Sequence, residues 1–277
     1  MVKLDRLPLG CMGNKTRELK LLLPIIEPHI TKDTIFIEPF CGSCIVSFNV
    51  YMKHNNIKFH INDIDPFRIQ FYNNMKTKEG RDEFYELQDK VLNTNGGEAH
   101  YYEILGKNKC NMKTDYNAYI ISKTINAFRY GLYPTTKKPN KKIISENWVN
   151  FFNEAMITNE DFKIILDKYK DNENAFIYLD PPYMDSFNAG YSGTYTGKSH
   201  DENMKIIDNT QIYIDLLDLL KCKCKVLFSI NSNALTQHIY KDYIKSDYAH
   251  IYQATHLNIN DVTQKKKHTS VLIISNL

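Results

Sequence analysis

The tetrapeptide Asp180-Pro181-Pro182-Tyr183 contains the residues best suited to chemistry, because it follows directly on the apolar run AFIYL. Polar residues at the end of a buried parallel strand lie where ligands bind in open α/β sheets. The Asp180 carboxylate and the Pro181 carbonyl could accept both hydrogens of an exocyclic aromatic amine, which directs its lone pair toward an electrophile. Tyr183 offers a ring face for stacking the heterocycle. A Pro-Pro turn that merely ends the strand is the alternative.

Several apolar runs predict the strands that position this tetrapeptide. They cover residues 34–37, 58–61, 175–179, 225–230 and 270–275, and the lysine run 265–267 precedes the last of them. Helical patterns at 45–53 and 209–220 separate some of these runs. Strands that alternate with helices predict an α/β fold with an open, largely parallel sheet.

A polar segment interrupts this alternation. Residues 76–158 are rich in Asn, Lys and Tyr, with a helical pattern at 81–92 and turn clusters at 93–97 and 133–140. We predict that 76–158 form a mostly helical inserted domain, and that 1–75 and 159–277 form the domain that holds the sheet. An insertion beside a ligand edge is a natural place for a recognition module.

The composition is that of an ordinary folded protein. The chain has 277 residues, 43% hydrophobic and 24% charged, with a formal net charge of +3. No apolar run is long enough for a membrane span, and the N-terminus lacks the pattern of a signal peptide, so we expect a cytoplasmic protein, or one in a host cytoplasm if the gene is viral. The six cysteines indicate reduced thiols, with a zinc site of Cys41, Cys44, Cys222 and Cys224 as the alternative.

The DPPY tetrapeptide resembles the catalytic motif of amino-group DNA methyltransferases, and the rest of the chain is similar to the Dam-type adenine-N6 methyltransferases. The resemblance runs almost end to end, through Gly13-Asn14-Lys15, IEPFCGS at 37–43, Asn62-Asp63-Ile64 and NEDF at 159–162. It implies a Rossmann-like class I methyltransferase sheet with an inserted target-recognition domain. It also implies transfer of a methyl group from S-adenosylmethionine to a flipped-out adenine in duplex DNA.

The same resemblance implies a set of cofactor-binding residues. Lys15 would meet the cofactor, Asp63 would bind the ribose hydroxyls, and the segment around Asp161 would recognise the cofactor adenine. The full set is Cys11, Gly13, Lys15, Glu38, Pro39, Phe40, Gly42, Asp63, Asp161, Phe162 and Asp180.

Physical arguments support some of these assignments and leave alternatives for others. Gly42 lets the backbone approach a ligand closely, and Asp63 follows the first strand at close to the roughly 20-residue interval of ribose-binding acids. Lys15 could instead be a surface lysine, Phe40 a core residue and Asp161 a helix cap.

Two cysteines depart from the family pattern. Cys44 stands where the family usually has a glycine, so the sequence does not determine the backbone path of the predicted cofactor loop. Cys11 replaces a frequent aromatic residue, so that one stacking face for the cofactor is missing unless Phe40 and Phe162 compensate.

DNA-binding residues are predicted in the insertion and after the tetrapeptide. The segment 126–134 resembles the recognition hairpin of the family, and 188–197 predicts a loop that closes over the target base, with a surface loop as the alternative. Arg129 could read a base edge or pair with phosphate. The lysine clusters at 137–142 and 265–267 could be solvated faces. The candidates are Asn126, Arg129, Tyr130, Tyr133, Lys137, Lys138, Tyr191 and Tyr195.

Other functions remain open at this stage. Methylation of an RNA adenine would use the same acceptors, whereas cytosine N4 fits the motif order less well. Cys11 and Cys44 leave room for a catalytically silent DNA-binding subunit. We predict duplex DNA as partner, a monomer in preference to an oligomer and no metal ion, and we leave a cognate restriction enzyme open.

Overall fold

The structure is a computed structural model, and it describes residues 5, 7, 9–10, 15–92, 115–124, 128–129, 133–134, 141–182, 210–258 and 261–277. Its strands are β1 (Ile35–Glu38), β2 (Lys58–Asn62), β3 (Phe128–Arg129), β4 (Tyr133–Pro134), β5 (Met156–Thr158), β6 (Ala175–Leu179), β7 (Lys225–Asn231), β8 (Ile244–Asn258) and β9 (Asp261–Ser275). The α-helices are α1 (Leu19–Ile26), α2 (Ile45–Tyr51), α3 (Pro66–Lys76), α4 (Lys78–Leu92), α5 (Tyr116–Thr124), α6 (Glu146–Glu154), α7 (Phe162–Tyr169), α8 (Thr210–Leu219) and α9 (Ala234–Ile239).

A mixed seven-stranded sheet forms the centre of the molecule. Its strand order is β5-β2-β1-β6-β7-β9-β8. The first five strands are parallel to their neighbours, and β9 runs antiparallel to both β7 and β8. The predicted α/β fold with a Rossmann-like methyltransferase sheet is confirmed.

The parallel strands β1, β2, β6 and β7 were predicted to within one residue at each end, because they are largely buried and so form apolar runs. All five residues of β6 are buried. The last strand is present at the predicted residues 270–275, but its predicted start was wrong, since β9 begins at Asp261 and the lysine run lies inside it. The sequence analysis also missed β8, which pairs with β9 along most of its length.

Helix starts are fixed by local chemistry. Asp65 caps α3 by accepting from the backbone N–H groups of Phe67 and Arg68, and Pro66 occupies the first helical position. Asn233 and Thr236 form a reciprocal capping box at the start of α9. These caps fix where the chain turns from each strand end into the following helix.

Two hydrophobic clusters cover the two faces of the sheet, and alternate residues of each strand enter different clusters. Phe176 and Tyr178 of β6 pack in the first cluster, whereas Ile177 and Leu179 pack in the second. The first cluster also contains Trp148 of α6, which stacks on Phe48 of α2 with ring centroids 3.7 Å apart.

The predicted insertion is mostly helical among its described residues, and its last residues join the main sheet. Met156–Thr158 forms β5, which pairs with β2. The sequence analysis missed this strand because three residues at a sheet edge give no apolar period. The predicted boundary at residue 158 therefore places a strand of the sheet in the wrong unit, and the division into two domains stays a prediction.

No helix in the described ranges is both long and apolar enough to cross a membrane.

Candidate active site

Three acidic residues lie at the carboxyl ends of neighbouring parallel strands, at one edge of the sheet. Glu38 is the last residue of β1, Asp63 follows β2, and Asp180 follows β6. Since β2, β1 and β6 are adjacent and parallel, their carboxyl ends share this edge. The structure therefore places at one edge three residues that the sequence analysis assigned to one site. We call it the catalytic edge.

Lys15 forms an ion pair with the carboxylate of the tetrapeptide. Lys15 Nζ lies 2.5 Å from Asp180 Oδ2, and the two side chains are 5% and 22% exposed. Burial raises the pKa of Asp180, and the charge and hydrogen bond of Lys15 partly oppose that rise. Lys15 is therefore no ordinary surface lysine, because it stabilises the ionised form of a largely buried acid.

Glu38 connects β1 to α2, the helix that follows the predicted cofactor loop. Its Oε2 atom accepts hydrogen bonds from the backbone N–H of Ser47, at 3.1 Å, and from the Ser47 hydroxyl. Ser47 lies in the first turn of α2, where the N-cap residue Cys44 makes no side-chain capping bond. Burial raises the pKa of Glu38 to about 8, although the Ser47 hydrogen bonds lower it; Asp180 raises it further and Lys15 lowers it.

The loop between β1 and α2 contains two left-handed residues, Gly42 at φ 50° and Cys44 at φ 54°. Glycine adopts this conformation without strain, whereas a residue with a Cβ atom does so at a cost of roughly 1–2 kcal/mol. Cys44 is fully buried. The structure thus answers the open question of the loop path, because Cys44 takes up the conformation that glycine would adopt there.

Asp63 holds this loop against the neighbouring strand. Its Oδ2 atom accepts from the backbone N–H of Gly42 at 2.9 Å and from Arg68 Nη1 at 2.7 Å, while its Oδ1 atom accepts from the backbone N–H of Asp65 at 2.9 Å. Tyr119 of α5 donates to Asp65 Oδ2 at 2.6 Å. Asp63, which is predicted to bind a ribose, therefore also fixes the loop. Through Asp65 and Tyr119, the same hydrogen-bond network extends to α5 in the insertion.

Two aromatic residues predicted to contact the cofactor lie against each other. The ring centroids of Phe40 and Phe162 are 4.9 Å apart, with an interplanar angle of 35°. Both rings also pack against the second hydrophobic cluster, so the core alternative for Phe40 holds in part. Asp161 accepts from the backbone N–H of Lys163 at 2.9 Å and caps α7, as its alternative interpretation predicted.

Asn62 joins the segments that carry these rings. Its Nδ2 atom donates to the carbonyls of Pro39 and Glu160, both at 3.0 Å, and its Oδ1 atom accepts from the backbone N–H of Glu160 at 2.9 Å. Because one buried side chain bonds both segments, the loop after β1 and the segment before α7 are held side by side.

The first three residues of the tetrapeptide are fixed by neighbouring strands and helices. Pro181 is buried, and the Pro182 carbonyl accepts from the hydroxyl of Tyr213 in α8 at 3.3 Å. Tyr178 of β6 forms a buried hydrogen bond of 3.0 Å with Ser229 of β7. Asp180 and Pro181 thus follow a strand that is hydrogen-bonded through its side chains to the neighbouring strand just before the tetrapeptide.

The family model described as D12 class N6 adenine-specific DNA methyltransferase matches residues 12–258. The chain belongs to this family. The matched span includes Lys15, the whole insertion and the DPPY tetrapeptide, so the protein is an adenine-specific DNA methyltransferase. The predicted Dam-type family and the predicted class of enzyme are confirmed.

Part of the predicted site of this methyltransferase falls outside the described residues. These positions are Cys11, Gly13, Tyr183, Asn126, Tyr130, Lys137, Lys138, Tyr191 and Tyr195. For Arg129 and Tyr133 the backbone is described, and the two residues are opposite each other in the antiparallel pair β3–β4. The segment that resembles the family's recognition hairpin therefore contains paired strands.

Several residues that contact the predicted site were not predicted from the sequence. Arg68 forms ion pairs with Asp63, at 2.7 Å, and with Asp65, at 3.7 Å. The backbone N–H of Gly10 donates to the Lys123 carbonyl of α5 at 2.7 Å, and a Cβ atom at Gly10 would lie 2.8 Å from that oxygen. Gly10 therefore fixes the N-terminal segment that carries Lys15 against the insertion. The only sequence signal for Arg68 is its position in the first turn of α3, three residues after Asp65 and five after Asp63.

The alternative of a four-thiolate zinc site is wrong. Cys41 and Cys44 follow β1 at the catalytic edge, whereas Cys222 and Cys224 precede β7 and so lie at the opposite edge of the sheet. Burial raises the pKa of both Cys41 and Cys44, which disfavours the thiolate that a metal would need.

Proposed function

We propose that this enzyme transfers the methyl group of S-adenosylmethionine to N6 of an adenine that has been flipped out of duplex DNA at a specific sequence. The observation that carries the proposal is the Lys15–Asp180 ion pair at the end of β6, where a largely buried carboxylate keeps 22% of its side chain exposed. A carboxylate in such a recess is reached by a base outside the stack rather than inside it.

The chain's own residues would activate the adenine amine. Its lone pair is delocalised into the ring, so acceptors for both N6 hydrogens are needed to direct that pair outward. Asp180 is the side-chain acceptor, and Lys15 favours its ionised form against the effect of burial. The Pro181 carbonyl is the proposed second acceptor. The neighbouring Pro182 carbonyl is bonded to Tyr213, which holds the backbone of the tetrapeptide in place.

The residues at the catalytic edge suit the proposed methyl donor. S-adenosylmethionine supplies a methyl group bound to a positively charged sulfur, together with an ammonium group, a ribose and an adenine. Glu38 is a buried acid and Asp180 a largely buried one, and burial raises both pKa values, so a positively charged ligand beside them would favour their ionised forms. Gly42 allows close approach to the backbone, Asp63 ends β2 as a ribose-binding acid does, and Phe40 offers an aromatic contact.

The paired strands β3 and β4 support a role of the insertion in DNA recognition. An antiparallel two-stranded element is a shape that fits the major groove. Arg129 and Tyr133 occupy opposite positions in that pair, at residues that the sequence analysis predicted to contact DNA. We assign recognition of the target DNA sequence to this hairpin and to the predicted DNA-binding residues around it.

A transfer assay tests the function. The pure protein is incubated with radiolabelled S-adenosylmethionine and mixed-sequence duplex DNA, and the modified base is identified after digestion. We expect label on adenine N6, at one short sequence when the DNA is sequenced for modified bases. Label on cytosine, or a preference for structured RNA in competition, would contradict the proposal.

Substitution of the proposed acceptor makes the assay specific. Asp180→Asn replaces one acceptor oxygen by an N–H donor, so we expect at least a hundredfold loss of transfer with DNA binding retained. Asp171→Asn is the matched control, because Asp171 is an exposed residue in the turn that precedes the same strand, β6. Near-native transfer by Asp180→Asn would show that the acceptor is wrongly assigned.

A further inference from the structure

The two longest strands among the described residues, β8 and β9, form a two-stranded ribbon that leaves the sheet. Residues 271–275 of β9 pair with β7, while β9 pairs with β8 from Ile274 to Asp261. Within the described ranges, residues 261–270 therefore pair with β8 alone. At about 3.3 Å per residue, this part of the ribbon is roughly 30 Å long.

The ribbon extends past the catalytic edge. Asn231, the last residue of β7, pairs with Val271, so the residues of β9 that precede Val271 continue beyond the carboxyl end of β7. Strands β7 and β6 are parallel, with Leu179 opposite Phe228. The ribbon and Asp180 are therefore on the same side of the molecule, where a duplex must lie if its adenine is to reach Asp180.

The charge of this extension suits a polyanion. Positions 249–258 and 261–270 contain Lys265, Lys266 and Lys267 and one acidic residue, Asp261. Because positions alternate between the faces of a strand, Lys265 and Lys267 share one face and Lys266 belongs to the other. Opposite Lys267 in the ladder is Tyr252, and opposite Lys265 is Ala254.

The face of Lys265 and Lys267 continues the side of the sheet on which the insertion packs. Val271 and Ile273 occupy the same alternation and belong to the first hydrophobic cluster. That cluster also contains Tyr119 of α5 and Trp148 of α6, both within the predicted insertion. A duplex at the catalytic edge would thus have the recognition insertion and the lysine face of the ribbon on the same side.

We propose that the β8–β9 ribbon is a second DNA-binding element, in which Lys265 and Lys267 neutralise backbone phosphates of the duplex that flanks the target adenine. The inference rests on the proposed function, because it uses the position of Asp180 to place the DNA. A ribbon of this length exceeds the roughly 12 Å width of the major groove, so it spans a groove and reaches phosphates on both sides. Phosphate contacts fix the enzyme on DNA without reading sequence.

The salt dependence of DNA binding tests this proposal. Each lysine that neutralises a phosphate contributes about 0.9 to the slope of log Kd against log salt concentration. Lys265→Gln/Lys267→Gln should lower that slope by about 2 and weaken binding equally for duplexes of different sequence. Lys265→Arg/Lys267→Arg keeps the charges and should retain the native slope.

A matched control removes two charges at the other edge of the sheet. Lys58 begins β2, Lys223 lies just before β7, and both are exposed. Lys58→Gln/Lys223→Gln should leave the slope at its native value. Cofactor affinity and the thermal midpoint of each variant verify that the fold is kept.

The outcomes separate this inference from the proposed function. If the native enzyme methylates adenine but the Lys265/Lys267 double variant keeps the native slope, the ribbon inference is wrong and the function stands. If the native enzyme binds DNA without transferring methyl groups, the function fails, and a lowered slope still supports the ribbon. A variant that loses self-association, seen by sedimentation, with no change of slope would assign the ribbon to a second copy of the chain and overturn the proposal.

Discussion

Lys15 Nζ lies 2.5 Å from Asp180 Oδ2, although 165 residues separate the two in the chain. This ion pair joins the N-terminal segment to the end of β6, and the pKa of Asp180 depends on it. Burial raises that pKa, Lys15 lowers it, and the negative charge of Glu18 adds to the rise. The balance decides at which pH the proposed acceptor is ionised.

Removal of Lys15 should shift the pH profile of methyl transfer. Lys15→Met leaves burial unopposed, so the pKa of Asp180 rises further, and the acid limb of kcat should move to higher pH by about one unit or more. The measurement is kcat at saturating S-adenosylmethionine and DNA as a function of pH. Lys15→Arg keeps the charge and should keep the limb near its native position, as should Lys32→Met at an exposed lysine. An acid limb at the same pH in native protein and Lys15→Met would contradict the role of Lys15.

Glu38 should make stability depend on pH. Its folded pKa of about 8 lies above the ordinary value of 4.5, so the folded carboxyl stays protonated where the unfolded one ionises. Unfolding then releases a proton, and the free energy of unfolding falls as the pH rises from about 4.5 to about 8. Below about pH 4.5 Glu38 does not make the free energy of unfolding depend on pH. Above about pH 8 the contribution of Glu38 to that free energy has fallen by its full amount.

Glu38→Gln isolates this effect, because the amide oxygen can still accept from Ser47 but does not ionise. The gain in thermal midpoint over the native protein, measured without cofactor, should grow between about pH 5 and pH 8 and then level off. Glu173→Gln, at an exposed position in the turn before β6, provides the control and should show no such trend. A difference between Glu38→Gln and native protein that is constant with pH would sink the assignment.

The left-handed conformation of Cys44 predicts an inverted preference between alanine and glycine. At φ 54° a Cβ atom is strained, so Cys44→Gly should be more stable than Cys44→Ala by about 1 kcal/mol, although glycine is the more flexible residue when unfolded. Both variants lose the buried sulfur, which therefore cancels in the comparison. Urea unfolding measures the difference. Ser43, next to it and without positive φ, should show the ordinary order, with alanine the more stable.

The parallel strands other than β5, and the position of the tetrapeptide, could be predicted from the sequence because each leaves a local pattern. Strands such as β6 are continuous apolar runs, and the polar residues that follow them lie at the ligand edge. The ribbon was only partly predicted, because the residues of β8 that extend beyond the sheet do not form an apolar run. The Lys15–Asp180 pair and the strain at Cys44 depend on distant backbone geometry, which no local spacing records.

Arg68 should be a positioning residue for the cofactor loop. It is 14% exposed and lies between Asp63 and Asp65, so Arg68→Met would leave two largely buried carboxylates beside each other without their cation. Loss of one partner of such a group costs about 3 kcal/mol. Arg68→Lys keeps the charge but not the two-pronged contact, and should recover only part of that stability.

The effect of Arg68 on the cofactor can be separated from its effect on stability. Asp63 holds Gly42 through the same oxygen that accepts from Arg68, so a freed Asp63 side chain should loosen the loop and weaken S-adenosylmethionine binding about tenfold or more. Calorimetry well below the unfolding temperature measures this, with Arg81→Met as the control, because Arg81 instead donates to the carbonyls of Met75 and Lys76 at the end of α3. If Arg68→Met lost stability but bound the cofactor with native affinity, Arg68 would be structural only, and the loop would be held by Asp63 without its help.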